Sequence, residues 1–326
     1  MRWSFHGLII EGKTRDPRLQ EHWQRSFASL QAVPVAGAPD LTFELNLVPE
    51  VPTSPLGEPD FRQGDLLQYY LDGLSAVAHF PRFGQLRLDL ARGLTEGRIA
   101  PEALTTYGVF EDLVAVGLSP HLRRRGLFLI HAFAAATPPA VPLPAGGQGV
   151  LLVGGIGSGK TATGISLLNA GWKLLSNDSP IITASADVLS YPGPLAAYPD
   201  TLARFEATAK LAESVPAPEG RQKITVAAEH IWPEAWIDRA PARAIFFPQI
   251  EARSDHATEP IASPEALRRL LPHAVEQWDR EMIPEHLRVL RQLVESAPAF
   301  VLRLGPRVDA IPALLTEAVR RSRASK

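Results

Sequence analysis

Residues 149–182 read GVLLVGGIGSGKTATGISLLNAGWKLLSNDSPII. The apolar run Val150 to Val153 predicts a buried strand, a loop of four glycines follows, and the loop closes on Lys160 and Thr161. Beyond Ala162 the apolar residues Ile165, Leu167 and Leu168 recur at helical spacing until Gly171 stops the helix. Gly154, four residues, then Gly159, Lys160 and Thr161 fit G-x-x-x-x-G-K-S/T, in the strand, loop, helix order that gives this motif its meaning. A merely flexible glycine turn would not need both flanking patterns.

Each residue type has a task in holding a nucleoside triphosphate. Glycines let successive N–H groups approach phosphate oxygens, so Gly154, Gly155, Gly157, Ser158, Gly159 and Ala162 form the expected cradle. Lys160 is expected to bridge the outer phosphates, Thr161 to place its hydroxyl on Mg²⁺, and the helix N-terminus to add a favourable dipole. The expected cofactors are therefore ATP or another nucleoside triphosphate, with Mg²⁺.

At 326 residues two domains are the natural expectation, here 1–120 and 121–326. Hydrophobic residues at 45% and charged residues at 21% describe an ordinary globular protein. A net charge of −2 gives no general attraction to nucleic acid or to an anionic membrane. The absence of cysteine excludes disulfides, thiolate metal sites and cysteine nucleophiles. The longest apolar run, Leu127 to Ala136, is about half of a membrane span, and the start MRWSFHGLIIEGK lacks the features of a signal peptide. A cytoplasmic protein is expected, and a homo-oligomer is possible.

Along the first part, residues 2–10 predict a strand, Pro17 to Leu30 an amphipathic helix, and Leu41 to Leu47 a half-buried strand. After the proline-rich loop Val48 to Pro59, short strands at Leu66–Leu71, Ser75–Phe80 and Gln85–Leu90 complete a small α/β lobe. A helix is expected from Pro101 to Val116, ended by Gly117. The basic run HLRRR at 121–125 reads as a solvated face or, alternatively, a phosphate or partner contact. Thr137 to Gly147 reads as a loop.

Beyond the phosphate loop, Trp172 to Ser176 predicts a strand ending in Asn177 and Asp178, with a second strand from Pro180. A carboxylate at a strand end beside a phosphate loop suits Mg²⁺, while Asn-Asp-Ser-Pro is also turn chemistry. Val188 to Tyr191, Lys223 to Val226, Ala242 to Phe247 and Ala299 to Leu304 predict strands, the third of them central. Lys210 to Gln222 reads as polar and mobile. Helices are expected at Pro264–Leu271, Pro272–Trp278, Pro284–Glu295 and Ala310–Arg321.

LIHAFAA, the phosphate loop and GWKLLSND together resemble the kinase domain of the HPr kinase/phosphorylase superfamily over roughly 126–182. The likeness is looser through YPGP at 191–194 and APARAIFFP at 240–248. The resemblance implies an α/β fold whose phosphate-loop domain is similar to the phosphoenolpyruvate carboxykinase core, preceded by a small α/β lobe. It implies an active-site role for His131, phosphate and Mg²⁺ contacts for Lys160 and Thr161, and the place of the second family aspartate for Asp178. Taken alone, His131 on an apolar stretch also fits a satisfied core histidine. Where the family pairs two aspartates this chain has Asn177 and Asp178, and an amide cannot act as a general base.

The expected activity is transfer of phosphoryl from Mg²⁺-ATP to a serine-type hydroxyl of a protein, peptide or small molecule. His131, Asn177, Asp178 and Lys160 form the expected catalytic set, Thr161 and Asp178 the metal ligands, and Arg204 and Lys223 additional cations. The alternative is a catalytically impaired nucleotide-binding regulator or scaffold, with Asn177 as the lesion.

Overall fold

In a computed structural model the chain is mixed α/β, described for all residues except 31, 33–36, 55–56, 139–146, 215–222 and 325–326. Parts of the expected segments Val48–Pro59, Thr137–Gly147 and Lys210–Gln222 therefore lie outside the described residues. Two compact units are present: Met1–Arg125 with Glu276–Met282, and Gly126–Val275 with Ile283–Lys326. The grouping of residues 276–282 with the N-terminal unit is not given by any boundary drawn along the sequence.

The first unit is built on an eight-stranded sheet. Its opening strand is divided, contrary to the single strand expected at 2–10. Arg2–Phe5 and Leu8–Lys13 pair antiparallel around His6 and Gly7, whose φ angles of 49° and 86° are those of a tight hairpin turn. The helix Pro17–Ser26 starts where the Asp16 carboxylate accepts the Arg18 amide, and its buried Leu19 and Trp23 cover the sheet. It leads to Leu41–Leu47, which lies parallel to Leu8–Lys13 on one side and to Leu94–Ile99 on the other. That last strand escapes sequence reading because its inward positions are Thr95, Gly97 and Ile99, which conceal the alternation.

Gly117 does not end a helix. The helix Val109–Arg123 runs through it, because Gly117 is where the helix backbone presses on the sheet. A Cβ there would meet the Phe43 ring at 2.3 Å. The continued helix carries the basic run inward: His121 and Arg123 are buried, so this is no solvated face. Arg123 and Arg124 both pair with Asp279, at 2.8 and 2.9 Å. The helix expected at 272–278 is reduced to a single turn, Leu271–His273, since Trp278 and Asp279 are buried in the first unit, with Trp278 stacked on Tyr69 at 4.4 Å.

The second unit is organised on the twelve-residue strand Arg239–Ile250, which serves two arms of one sheet. Its first residues pair antiparallel with Asp187–Leu189, which leads through Ile181–Thr183 to Leu127–Leu129. Its middle and end lie parallel to Gly149–Val153 and to Ala299–Leu304. Gly149–Val153 is followed in the sheet by Ala132–Ala136 and Lys173–Ser176. Among the described residues no helix is long and apolar enough to cross a membrane.

Candidate active site

The site lies where the chain leaves this forked sheet. Gly149–Val153 is buried throughout, and at Gly154 the backbone turns out of the sheet. The helix Lys160–Asn169 begins at once, with Gly159 as N-cap at φ 100°. Only glycine suits that position, because its backbone is left-handed and a Cβ would also meet Leu304 at 2.6 Å. Farther along, Gly164 lets the helix lie on Phe133, whose ring would be 2.3 Å from a Cβ.

Lys160 folds back over the loop and donates to the carbonyls of Gly154 and Gly155. Burial pushes its ammonium pKa down, Asp178 pulls it up, and the charge of Lys223 lowers it further. Gly154, Gly159, Thr161 and Ala162 lie partly covered around it, Gly155 and Gly157 are exposed, and Ser158 has a buried hydroxyl without a hydrogen-bond partner.

Two chain segments switch sheet arms side by side. Between Leu127–Leu129 and Ala132–Ala136 the crossing residues are Ile130 and His131; between Lys173–Ser176 and Ile181–Thr183 they are 177–180. Backbone hydrogen bonds Ile130 N to Pro180 O and Ala132 N to Asp178 O, both 3.0 Å, clip the crossings together. The Ser176 hydroxyl accepts the amides of Asp178 and Ser179, which shapes the turn. His131 Nδ1 consequently stands 3.4 Å from Asp178 Oδ1, both side chains about half exposed. Burial would raise the Asp178 carboxyl, but its interaction with His131, together with the charges of Lys160 and Lys223, brings it below the ordinary carboxylate range.

Asn177 is partly buried, and its Oδ1 has no hydrogen-bond partner. Lys223 acts electrostatically on both Lys160 and Asp178 and lies 5.7 Å from the centre of the Tyr198 ring. Arg204 donates to the Pro306 carbonyl at 3.1 Å and lines a cavity together with Gly159 of the loop. Sequence reading missed His273. Its carbonyl accepts the His131 amide at 2.6 Å, and the two imidazoles stack with centroids 6.1 Å apart. Burial lowers the His273 pKa, and the charges of His131 and Lys160 lower it further. No motif marks His273, which reaches the site only through the tertiary fold.

Glycine spacing, the left-handed Gly159 and the Lys160 ammonium suit a bound triphosphate. Oxygen ligands from Thr161 and Asp178 suit Mg²⁺, which needs few protein carboxylates when phosphates supply the rest. Among the described residues no group of three or more His, Asp or Glu forms a self-sufficient metal cage.

No family model matches the chain, and no curated protein matches it. Among solved structures it is similar to the Hpr(Ser) kinase/phosphatase from Coxiella burnetii. The likeness covers 60% of this chain and 91% of that one, at 13% identity and a TM-score of 0.29. The relationship is remote and is a likeness of structure only.

Proposed function

We propose that the protein binds a magnesium nucleoside triphosphate at the loop 154–161 and transfers its terminal phosphoryl group to a hydroxyl of a protein, peptide or small molecule. The observation that carries this reading is the electrostatic meeting of Lys160, folded over the glycine loop, with the Asp178–His131 pair at the crossing of the sheet arms. Phosphoryl transfer proceeds through a loose transition state, so positioning and charge neutralisation do most of the work. Lys160 and the amides of the helix N-terminus stabilise charge on the transferred group, and Lys223 adds a second cation. Thr161 and Asp178 would hold Mg²⁺, which when bound neutralises phosphate charge.

With its Nδ1 side facing Asp178, His131 has Nε2 free to take the proton of the acceptor hydroxyl. As that oxygen bonds to phosphorus, the bond to the bridging oxygen breaks and the nucleoside diphosphate leaves. Asp178, ionised at neutral pH, holds the imidazole in orientation. A general base of this kind is worth about a hundred- to ten-thousand-fold.

Asn177 supports a second reading, a nucleotide-binding regulator that does not turn over, because an amide replaces a carboxylate where the resembling family has a pair. Transfer of labelled phosphoryl from ATP, measured for wild type, His131→Ala and Asn177→Asp, separates the two. The kinase reading expects transfer by wild type, its loss in His131→Ala and a higher rate or shifted pH profile in Asn177→Asp. Turnover gained only in Asn177→Asp supports the regulator, and full activity in His131→Ala removes the histidine from the mechanism.

A further inference from the structure

The side chain of His131 is held less firmly by Asp178 than its proposed task requires. It is 43% exposed, and Nδ1 stands 3.4 Å from Asp178 Oδ1, longer than a normal hydrogen bond. A ring tethered at one atom can still swing about its two side-chain bonds. The backbone, by contrast, is fixed on both sides. Successive N–H groups of an extended segment point opposite ways, and Ile130 N and Ala132 N both donate to the turn 178–180. The His131 N–H therefore points away from that turn and needs another acceptor, which is the His273 carbonyl at 2.6 Å. Three residues earlier the fully buried Phe128 packs on His286 of the helix Ile283–Ser296, ring centroids 4.7 Å apart, so the entry to the crossing is anchored as well.

His273 is itself well supported. It closes the single turn Leu271–His273, which follows directly on the helix Ser263–Leu270 and has the fixed φ of Pro272 at its start. The amides of Ala274 and Val275 donate back to the Leu271 carbonyl, and Ala274 is buried. The His273 imidazole then lies against that of His131 with centroids 6.1 Å apart and planes 26° apart, inside the span of about 4.5–7 Å over which flat rings attract. Burial lowers the His273 pKa, and the charges of His131 and Lys160 lower it further, so the ring is uncharged at neutral pH and within electrostatic reach of the loop lysine. It offers His131 a flat neighbour and no competing cation.

We infer that His273 is a positioning residue for the phosphoryl transfer. Its carbonyl fixes the His131 backbone, and its ring confines the His131 imidazole to the orientation that meets Asp178 through Nδ1 and leaves Nε2 for the acceptor hydroxyl. This rests on the reading of His131 as the group that takes the hydroxyl proton.

Two substitutions separate the ring from the backbone contact: His273→Ala removes the ring and keeps the carbonyl, and His273→Phe restores a flat ring without imidazole chemistry. Side-chain NMR relaxation of His131, in protein carrying ¹³C-labelled histidine and with the signal assigned by its loss in His131→Ala, reads the positioning alone. Wild type and His273→Phe are expected to show an ordered His131 ring, and His273→Ala a mobile one. An equally ordered ring in His273→Ala overturns the inference. Phosphate release from Mg²⁺-ATP, with water as the acceptor, reads the consequence. His273→Ala should lower kcat at least about tenfold with KM unchanged, since a misplacement of about 1 Å can cost about a hundredfold, and His273→Phe should recover most of that loss. A His273→Phe variant as slow as His273→Ala would show that the imidazole acts chemically, which also overturns the positioning role. If wild type releases no phosphate the transfer reading fails, and the relaxation measurement alone decides whether His273 confines His131.

Discussion

At the scale of single residues, the site depends on positions where a side chain is absent as much as on those where one is present. Gly164 is the clearest test, since the Phe133 ring occupies the place of its Cβ and both residues are buried. Gly164→Ala should lower stability by about 1–3 kcal/mol through overpacking, read as a lower denaturant midpoint. An unchanged midpoint would mean that helix and strand do not pack as described. The glycine turn and the helix that starts at Lys160 are legible in the sequence because their signal lies in contiguous residues at fixed spacing. His131 and Asp178 lie far apart in sequence and are paired beforehand only by family resemblance. His273 carries no sequence signal, as its place beside His131 comes from a neighbour supplied by another element.

At the scale of elements, alternation and helical spacing locate most strands and helices, and two of the departures come from a tertiary partner that overrides a local signal. Glycine after an apolar helical run ordinarily caps it, yet Gly117 continues the helix because Phe43 needs the space. An arginine-rich run ordinarily faces solvent, yet Arg123 turns inward because Asp279 is supplied from residues 276–282. That pair is buried on both sides, so Asp279→Ala should destabilise the first unit by about 3–5 kcal/mol, leaving a guanidinium buried without its counter-charge. Replacing both partners, Arg123→Met with Asp279→Ala, should recover much of the loss in chemical denaturation. A neutral Asp279→Ala would show that the segment is not anchored by this pair.

For the whole molecule, composition and strand patterning make an α/β chain legible, while the forked sheet is not, because it arises from one strand serving two arms. Acid stability follows from groups hidden inside. Burial, with the charges of Arg125 and Arg124, pushes His121 down to about 4 from its ordinary value of 6.5. Between these values the unfolded chain binds a proton that the folded chain does not, so stability is lost as pH falls from roughly 6.5 to 4, by about 3 kcal/mol in all. His273, also lowered, acts in the same direction. Denaturation midpoints across this range should fall in wild type and flatten in His121→Gln; equal slopes would contradict the assignment. The proposed function, however, rests on the loop 154–161, and thermal melting with and without Mg²⁺-ATP, for wild type beside Lys160→Ala, tests it most directly. At a ligand concentration about a hundred times Kd wild type should gain roughly 2.7 kcal/mol, seen as a raised Tm. Lys160→Ala should melt like wild type without nucleotide and gain little with it. No nucleotide-induced shift in wild type, or a ligand-free Lys160→Ala that melts far lower, would contradict the account.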